Sequence, residues 1–163
     1  MFSSFLIIES LILCIIFTMF IYYLSKDPIK TLYNYPPNIQ KRVRSLKKYK
    51  NKVPNKKDKI SKKLIACLVI IIILSLVIRF VHSYTTFIQG FYSSFILFTI
   101  VNLYDFIVLD VIWFCHDKRF IIKGTEDMVK DYHDYMFHFK GFLIGEVLGL
   151  IICALTGVVV TII

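Results

Sequence analysis

The sequence lacks the short spacings by which many metal and redox sites are recognised. Its cysteines form no CxxC pair, and no HExxH, ExxH or HxH spacing occurs among its histidines. A zinc site or a thiol redox centre therefore has no motif to support it. The chain also lacks a regular alternation of apolar and polar residues, because its apolar residues lie in long blocks. We interpret the four cysteines, about one per block, as small buried thiols: Cys14, Cys67, Cys115 and Cys153.

The apolar blocks have the length of membrane spans. Hydrophobic residues make up 57% of the 163 residues, too many for an ordinary soluble domain. Each block reaches the roughly 20 residues that a helix needs to cross a hydrocarbon core about 30 Å thick. The sequence therefore predicts an all-α integral membrane protein, with a bundle of four transmembrane helices in one domain over residues 1–163. The predicted spans are residues 2–24, 64–82, 87–115 and 141–163, and the long loops are residues 25–63 and 116–140.

Positive charge is concentrated in the first loop. Fourteen of the 20 lysines and arginines lie between Ser25 and Lys63, together with only two acids, Asp27 and Asp58. The positive-inside rule places this loop in the cytoplasm, which predicts a plasma-membrane protein with both termini outside and loop 116–140 also cytoplasmic. A cleaved signal peptide over residues 1–24 is less favoured, because the positive charges follow the apolar block instead of preceding it.

The basic loop contains a thin apolar stripe. Val43, Leu46 and Tyr49 are spaced three apart, so on a helix they lie under a cationic face. Such segments can lie on an anionic leaflet, and we predict that Lys41–Lys63 contacts anionic lipid, with about 1 kcal/mol for each basic residue near the surface. Nucleic acid is a less favoured acidic partner. A protein partner or a second copy of the chain is a further alternative.

The third block carries acids where hydrocarbon disfavours them. A carboxylate at the centre of a span costs roughly 2.5–3.5 kcal/mol on insertion scales, so such residues usually face a bundle interior. Asp105 shares a helix face with Asn102, and Trp113 continues that face. Asp110 lies about 140° around from Asp105 at 100° per residue. Glu146, in the fourth block, is expected in the same half of the membrane. We predict that these acids contact neutralising groups there.

The second loop supplies candidates for those groups. After a turn at Gly124 we predict a short interfacial helix before the fourth span, with an aromatic stripe through Tyr132 opposite a line of acids. Neutralisation by bases is one interpretation, and a divalent metal is the other, because histidine and carboxylate ligands suit Zn, Fe or Mn. The ligand or metal candidates are Asp105, Asp110, His116, Glu126, Asp127, His133, Asp134, His138 and Glu146. The supporting residues are Asn102, Trp113 and Arg119.

Two further features concern helix packing. Gly141, Gly145 and Gly149 recur every four residues, and such small-residue ladders let a helix approach its neighbour closely. Glu9 and Arg79 lie in the outer halves of the first and second spans. We predict a charge pair between them that fixes the register of the two helices.

One block of the chain resembles a known family. The residues that carry the resemblance are Asn102-Leu103-Tyr104-Asp105, Asp110-Val111-Ile112-Trp113-Phe114, Lys118-Arg119, Gly124-Thr125-Glu126-Asp127-Met128 and Phe137-His138-Phe139-Lys140-Gly141. This block is similar to a family of small, uncharacterised bacterial multi-pass membrane proteins. The resemblance implies no activity, and the motifs of four-span glutathione-linked enzymes and membrane methyltransferases are absent. It implies a family signature of Asn102, Asp105, Asp110, Trp113, Glu126, Asp127 and His138.

Three functions fit this pattern. The first, which the sequence favours, is a structural or accessory subunit in which acids and bases, five of each in residues 117–140, hold the second loop against the bundle. The second is a protein that binds a metal or polar ligand, including an enzyme with a carboxylate or histidine as general base. The third is an oligomeric transporter of ions or protons along Asp105, Asp110 and Glu146.

Overall fold

The computed structural model describes residues 4–54 and 56–163, and within these residues it contains helices and turns but no strand. The predicted all-α class is therefore confirmed. Among the same residues, four helices are long and apolar enough to cross a membrane, which agrees with the number of predicted spans. They cover Phe5–Ser25, Lys63–Val81, Phe87–Phe114 and Val129–Ile162. Residues 2 and 3 of the predicted first span lie outside the described part of the chain.

The long helices are joined by short elements. The long helices are α1 (Ser4–Ser25), α3 (Lys56–Leu76), α4 (Phe87–Tyr104) and α6 (Tyr135–Ile162), and the short ones are α2 (Pro37–Ser45) and α5 (Val129–Tyr132). Single 3₁₀ turns occur at Leu32–Asn34, Lys47–Tyr49 and Lys118–Phe120. Two helices continue in π-helical form, α3 through Val77–Val81 and α4 through Asp105–Phe114. In a π-helix the backbone hydrogen bonds join residues five apart, so these segments are wider than an α-helix.

Large apolar side chains cover the outside of the long helices. Phe5 is 66% exposed, Leu11 60% and Ile72 55%. Monomeric soluble proteins rarely expose apolar patches of more than a few hundred Å². A helix satisfies its own backbone hydrogen bonds and can therefore present such a surface to lipid. The arrangement is consistent with an integral membrane protein.

Local sequence determines where two helices begin. Pro37 occupies the first turn of α2, where its missing N–H costs nothing. A tight turn with Ser83 at φ 57° joins α3 and its π-helical extension to α4. Thr86 then caps α4: its hydroxyl accepts the Gln89 N–H at 3.4 Å, and the Gln89 side chain accepts the Thr86 N–H at 3.3 Å.

The most extensive helix contact is between α4 and α6, with α1 against α4 and α3 against α6. Glycines make this contact close. A Cβ at Gly157 would lie 2.9 Å from the carbonyl oxygen of Phe87, and a Cβ at Gly145 or Gly149 would also collide with side chains of α4. Gly141, by contrast, has nothing within 4 Å of its Cβ position. The predicted ladder therefore needs correction, since Gly141 takes no part in the close contact and Gly157 does.

The connections at one end of the bundle form a hydrophobic core of their own, called the loop core below. Its members are Leu32, Tyr35, Ile39, Val43, Tyr49, Phe114, Cys115, Phe120, Ile122 and Tyr132. Two tyrosines tie the first connection to the second. The hydroxyl of Tyr35 donates to the carbonyl oxygen of Phe120 at 3.1 Å, and that of Tyr49 donates to the carbonyl oxygen of Lys123 at 3.1 Å. The basic connection is thus folded against the connection between α4 and α6.

The apolar stripe of the basic segment belongs to this loop core. Val43 is fully buried, Tyr49 is 6% exposed and the partly buried Leu46 packs against the loop core. The expectation that this stripe lies on lipid is therefore wrong, because the stripe contacts protein. The charged face of α2 stays exposed, including Lys41 and Arg44.

The segment before α6 also differs from the prediction. The expected short helix is a single turn, α5, and Tyr132 within it is 3% exposed in the loop core. The side chain of Asp134 then caps α6 by accepting the N–H of Phe137 at 2.9 Å. Because of this cap, α6 begins at Tyr135 instead of Gly141. The turn expected at Gly124 is present, with φ 97°.

Replacement of Gly157 by alanine should destabilise the bundle. The added methyl group would be forced against the backbone of Phe87, and overpacking of this kind costs about 1–3 kcal/mol. Gly141→Ala is the matched control, and it should leave the stability unchanged or raise it, because alanine favours helix and has free space there. Thermal unfolding of the two variants in detergent measures the difference. Equal unfolding midpoints would contradict the described α4–α6 contact.

Candidate functional site

The α4–α6 contact carries a polar network around Glu146. The carboxylate of Glu146 accepts hydrogen bonds from the amide of Asn102 at 2.8 Å and from the hydroxyl of Thr99 at 3.0 Å. The same amide nitrogen of Asn102 also donates to the carbonyl oxygen of Phe142 at 3.1 Å. Gly145 makes this possible, because a Cβ there would lie 2.6 Å from the side-chain oxygen of Asn102. The glycine therefore provides the space in which the amide reaches the carboxylate.

A second polar contact joins the same helices nearer the loop core. Oδ2 of Asp110 lies 3.1 Å from Nδ1 of His138. His138 is 3% exposed, with its ring 5.1 Å from that of Phe114 and 5.3 Å from that of Phe137. Its other ring nitrogen, Nε2, is buried and has no hydrogen-bond partner within the described residues. Asp110 therefore faces one nitrogen of the His138 ring and leaves the other without a partner.

Asp105 lies close to this pair without joining it. The chain from Asp105 to Phe114 is π-helical, so Asp110 follows Asp105 along the same side of the helix. The expected separation of about 140° is therefore wrong, since it assumed α-helical geometry. The two carboxylates are near enough to repel each other. Asp105 is half-buried, and its carboxylate makes no hydrogen bond to any residue that the structure describes.

Three further candidates, His116, His133 and Glu126, contact residues other than Asp110 and Glu146. Nδ1 of His116 donates to the carbonyl oxygens of Val111 and Ile112 at 3.1 and 3.0 Å, and its ring packs on that of His133 at 5.1 Å. Glu126 accepts the backbone N–H of Gly124 at 2.7 Å. Backbone hydrogen bonds lower the pKa of this carboxyl. In residues 4–54 and 56–163, no group of three histidine, cysteine, aspartate or glutamate side chains is arranged to hold a metal ion.

Two acids of the second loop instead bind the first loop. Asp127 pairs with Arg42 at 2.7 Å, and Asp131 accepts from the amide of Asn38 at 2.6 Å. Both contacts are exposed, and exposed ion pairs contribute about 0–1 kcal/mol each. They therefore orient α2 on the second loop, while the loop core supplies most of the attraction.

Trp113 and Arg119 meet at Asp117, which the sequence did not single out. The indole N–H of Trp113 donates to Oδ2 of Asp117 at 2.9 Å, and Nε and Nη2 of Arg119 donate to the same oxygen at 2.9 and 2.7 Å. The hydrogen bonds from Arg119 hold the pKa of Asp117 well below its usual range. The guanidinium of Arg119 also lies over the rings of Trp113 and Tyr22, at 5.5 and 5.6 Å.

At the opposite end of the bundle, Glu9 binds a different partner from the one predicted. Oε2 of Glu9 lies 2.9 Å from Nε2 of His82. The predicted pair with Arg79 is not formed, and Nε of Arg79 is buried without a hydrogen-bond partner in the described residues. The turn at Ser83 follows His82 directly. The ring of His82 stacks on the ring of Tyr84, with the two centroids 5.3 Å apart.

The polar contacts therefore form separate groups instead of one site. One more contact that the sequence did not reveal joins α1 to α4, where the hydroxyls of Thr18 and Tyr104 lie 2.8 Å apart. A lone threonine in an apolar block carries no signal of its partner, and Thr99 was missed for the same reason. The arrangement can fix helix register, and within the described residues no hydroxyl or thiol is bonded to His138 Nε2 for a base to activate.

Comparisons of the chain with protein-family models, curated proteins and solved structures give no match. The resemblance to a bacterial membrane-protein family therefore stays a prediction.

Cys115, a member of the loop core at the end of the π-helical segment that carries Asp110, should make the protein less stable at alkaline pH. Burial raises the pKa of its thiol to about 11, and the charges of Asp110 and Asp134 add to the rise. An unfolded chain ionises this thiol near pH 9.0 and the folded chain does not, so the free energy of unfolding should fall between about pH 9 and 11. Thermal unfolding of the wild type and Cys115→Ala over that range checks this. A difference in midpoint that is independent of pH would contradict it.

Proposed function

We propose that this protein is a structural or accessory component of the plasma membrane. It spans the bilayer four times, with both termini outside and both loops of the loop core in the cytoplasm. Its polar side chains act as fixed links between helices, and its two loops, held together by the loop core, form a compact cationic unit at the cytoplasmic surface. No enzymatic step is assigned to it.

The observation that carries this proposal is the pairing of acids across helices. Glu9 is hydrogen-bonded to His82 and Glu146 to Asn102, and Asp110 is paired with His138 at 3.1 Å. In each pair the two residues lie on different long helices or at the end of one. A polar group in hydrocarbon is costly without a partner, and interhelical hydrogen bonds of this kind contribute about 0.6–2 kcal/mol each. Acids that are already bonded within the protein favour a role in holding helices over a role in binding an outside ligand.

The distribution of positive charge supports the proposed placement of both loops in the cytoplasm. The first loop contains most of the lysines and arginines, and positive loops stay on the cytoplasmic side. The second loop packs against the first and so lies on the same side. The exposed face of α2 is basic, and we propose that Lys41–Lys63 contacts anionic lipid through its charges alone.

Asp110→Leu and Asp105→Asn together test the structural role. Asp110→Leu should lower the free energy of unfolding by about 1–3 kcal/mol, because it leaves His138 without its partner. Asp105→Asn is the matched control on the same helix, and it should leave stability unchanged or raise it, because it removes repulsion and no hydrogen bond. Chemical unfolding in detergent measures both.

The same proteins are then reconstituted into liposomes that contain a pH-sensitive dye. A structural protein should give no proton flux above that of empty liposomes, in the wild type and in both variants. A flux that the wild type shows and Asp105→Asn abolishes would overturn the structural role in favour of transport.

A further inference from the structure

A groove runs between the last turns of α1 and the π-helical end of α4. Its volume is about 610 Å³, within the range of roughly 300–1,000 Å³ that is usual for ligand sites. Its walls are mostly apolar and include Met19 from α1 and Val108 and Leu109 from the π-helix. The hydroxyls of Thr18 and Tyr104, which also line the groove, are bonded to each other. The walls therefore suit a hydrocarbon chain better than a polar molecule.

The mouth of the groove is cationic. Lys26 and Arg119 both line it. The ammonium of Lys26 lies over the rings of Tyr22 and Tyr23 at 5.7 and 5.6 Å, and it makes no ion pair with a described residue. Asp117 is bonded to Arg119 and offsets one of the two charges, so the mouth keeps a net positive charge. An acidic group placed there would meet an unneutralised ammonium.

Aromatic residues surround this mouth. Tyr22 stacks on Trp113, with ring centroids 6.3 Å apart, and the cations lie beside these rings. Tyrosine and tryptophan collect at the membrane–water interface. A molecule that fits both halves of the groove carries an acidic headgroup at that level and an apolar chain beside Met19 and Val108.

We propose that this groove binds one anionic phospholipid, with its phosphate at Lys26 and Arg119 and an acyl chain along the π-helical end of α4. A zwitterionic lipid offers the same chain, but its headgroup brings its own positive charge to the ammonium of Lys26. The site therefore selects by headgroup charge. It is separate from the lipid contact proposed for Lys41–Lys63, and it does not depend on which side of the membrane the loops occupy.

The single tryptophan of the chain, Trp113, lines the groove and reports on it directly. Full-length protein is reconstituted into mixed vesicles, and its fluorescence is quenched with brominated phosphatidylglycerol or with brominated phosphatidylcholine. Quenching against mole fraction gives the relative affinity of the two lipids at Trp113. The wild type should prefer phosphatidylglycerol several-fold, and equal quenching by the two lipids would overturn the proposal.

The Lys26→Gln variant distinguishes binding of anionic lipid in this groove from a general attraction of anionic lipid to the positively charged protein. Removal of one cation near the surface should reduce the preference about fivefold. Lys130→Gln is the matched control, since it removes the same charge from an exposed lysine that does not line the groove. It should leave the preference unchanged. An equal loss in the two variants would assign the preference to overall charge and overturn the groove as its site.

Discussion

The contact between Asn102 and Glu146 is the constraint on which the α4–α6 pairing depends. A carboxylate within a span needs donors, and α4 presents two, the amide of Asn102 and the hydroxyl of Thr99. They reach it because Gly145 has no side chain in the way. One register of the two helices satisfies these requirements together. In that register Gly157 lies against the backbone of Phe87 at one end, and closer to the loops Asp110 faces His138.

The loop core builds on this register. Phe114 and Cys115 end the π-helical part of α4 and are members of the loop core, so the base of that core is fixed by the helix pair beneath it. The two loops then cover this base, the first loop with α2 and the second loop with Tyr132. What remains at the surface is the charged face of α2 and the cationic mouth of the α1–α4 groove. The proposed lipid contacts both use charges that the packing leaves exposed.

Hydropathy predicted the four spans because each helix bonds its own backbone and needs no information about its neighbours. Partners could not be predicted in the same way. Arg42 and Asp127 are paired although they are 85 residues apart in the chain. The spacing of an apolar stripe such as Val43 and Tyr49 is the same whether the stripe faces lipid or a folded loop. The predicted angle around the helix between Asp105 and Asp110 was wrong for a different reason. An angle of 100° per residue assumes an α-helix, and nothing in the apolar run indicates the π-helix that replaces it.

A double-mutant cycle between Asn102 and Glu146 tests the central contact most directly. The free energy of unfolding in mixed micelles is measured for the wild type, Asn102→Ala, Glu146→Ala and the double variant. The described hydrogen bond predicts a coupling energy of about 1–2 kcal/mol. A control cycle between Asn102 and Glu126, which lies in the loop and bonds to Gly124, should give about zero. A coupling of about zero between Asn102 and Glu146 as well would contradict the account of how α4 and α6 are held together.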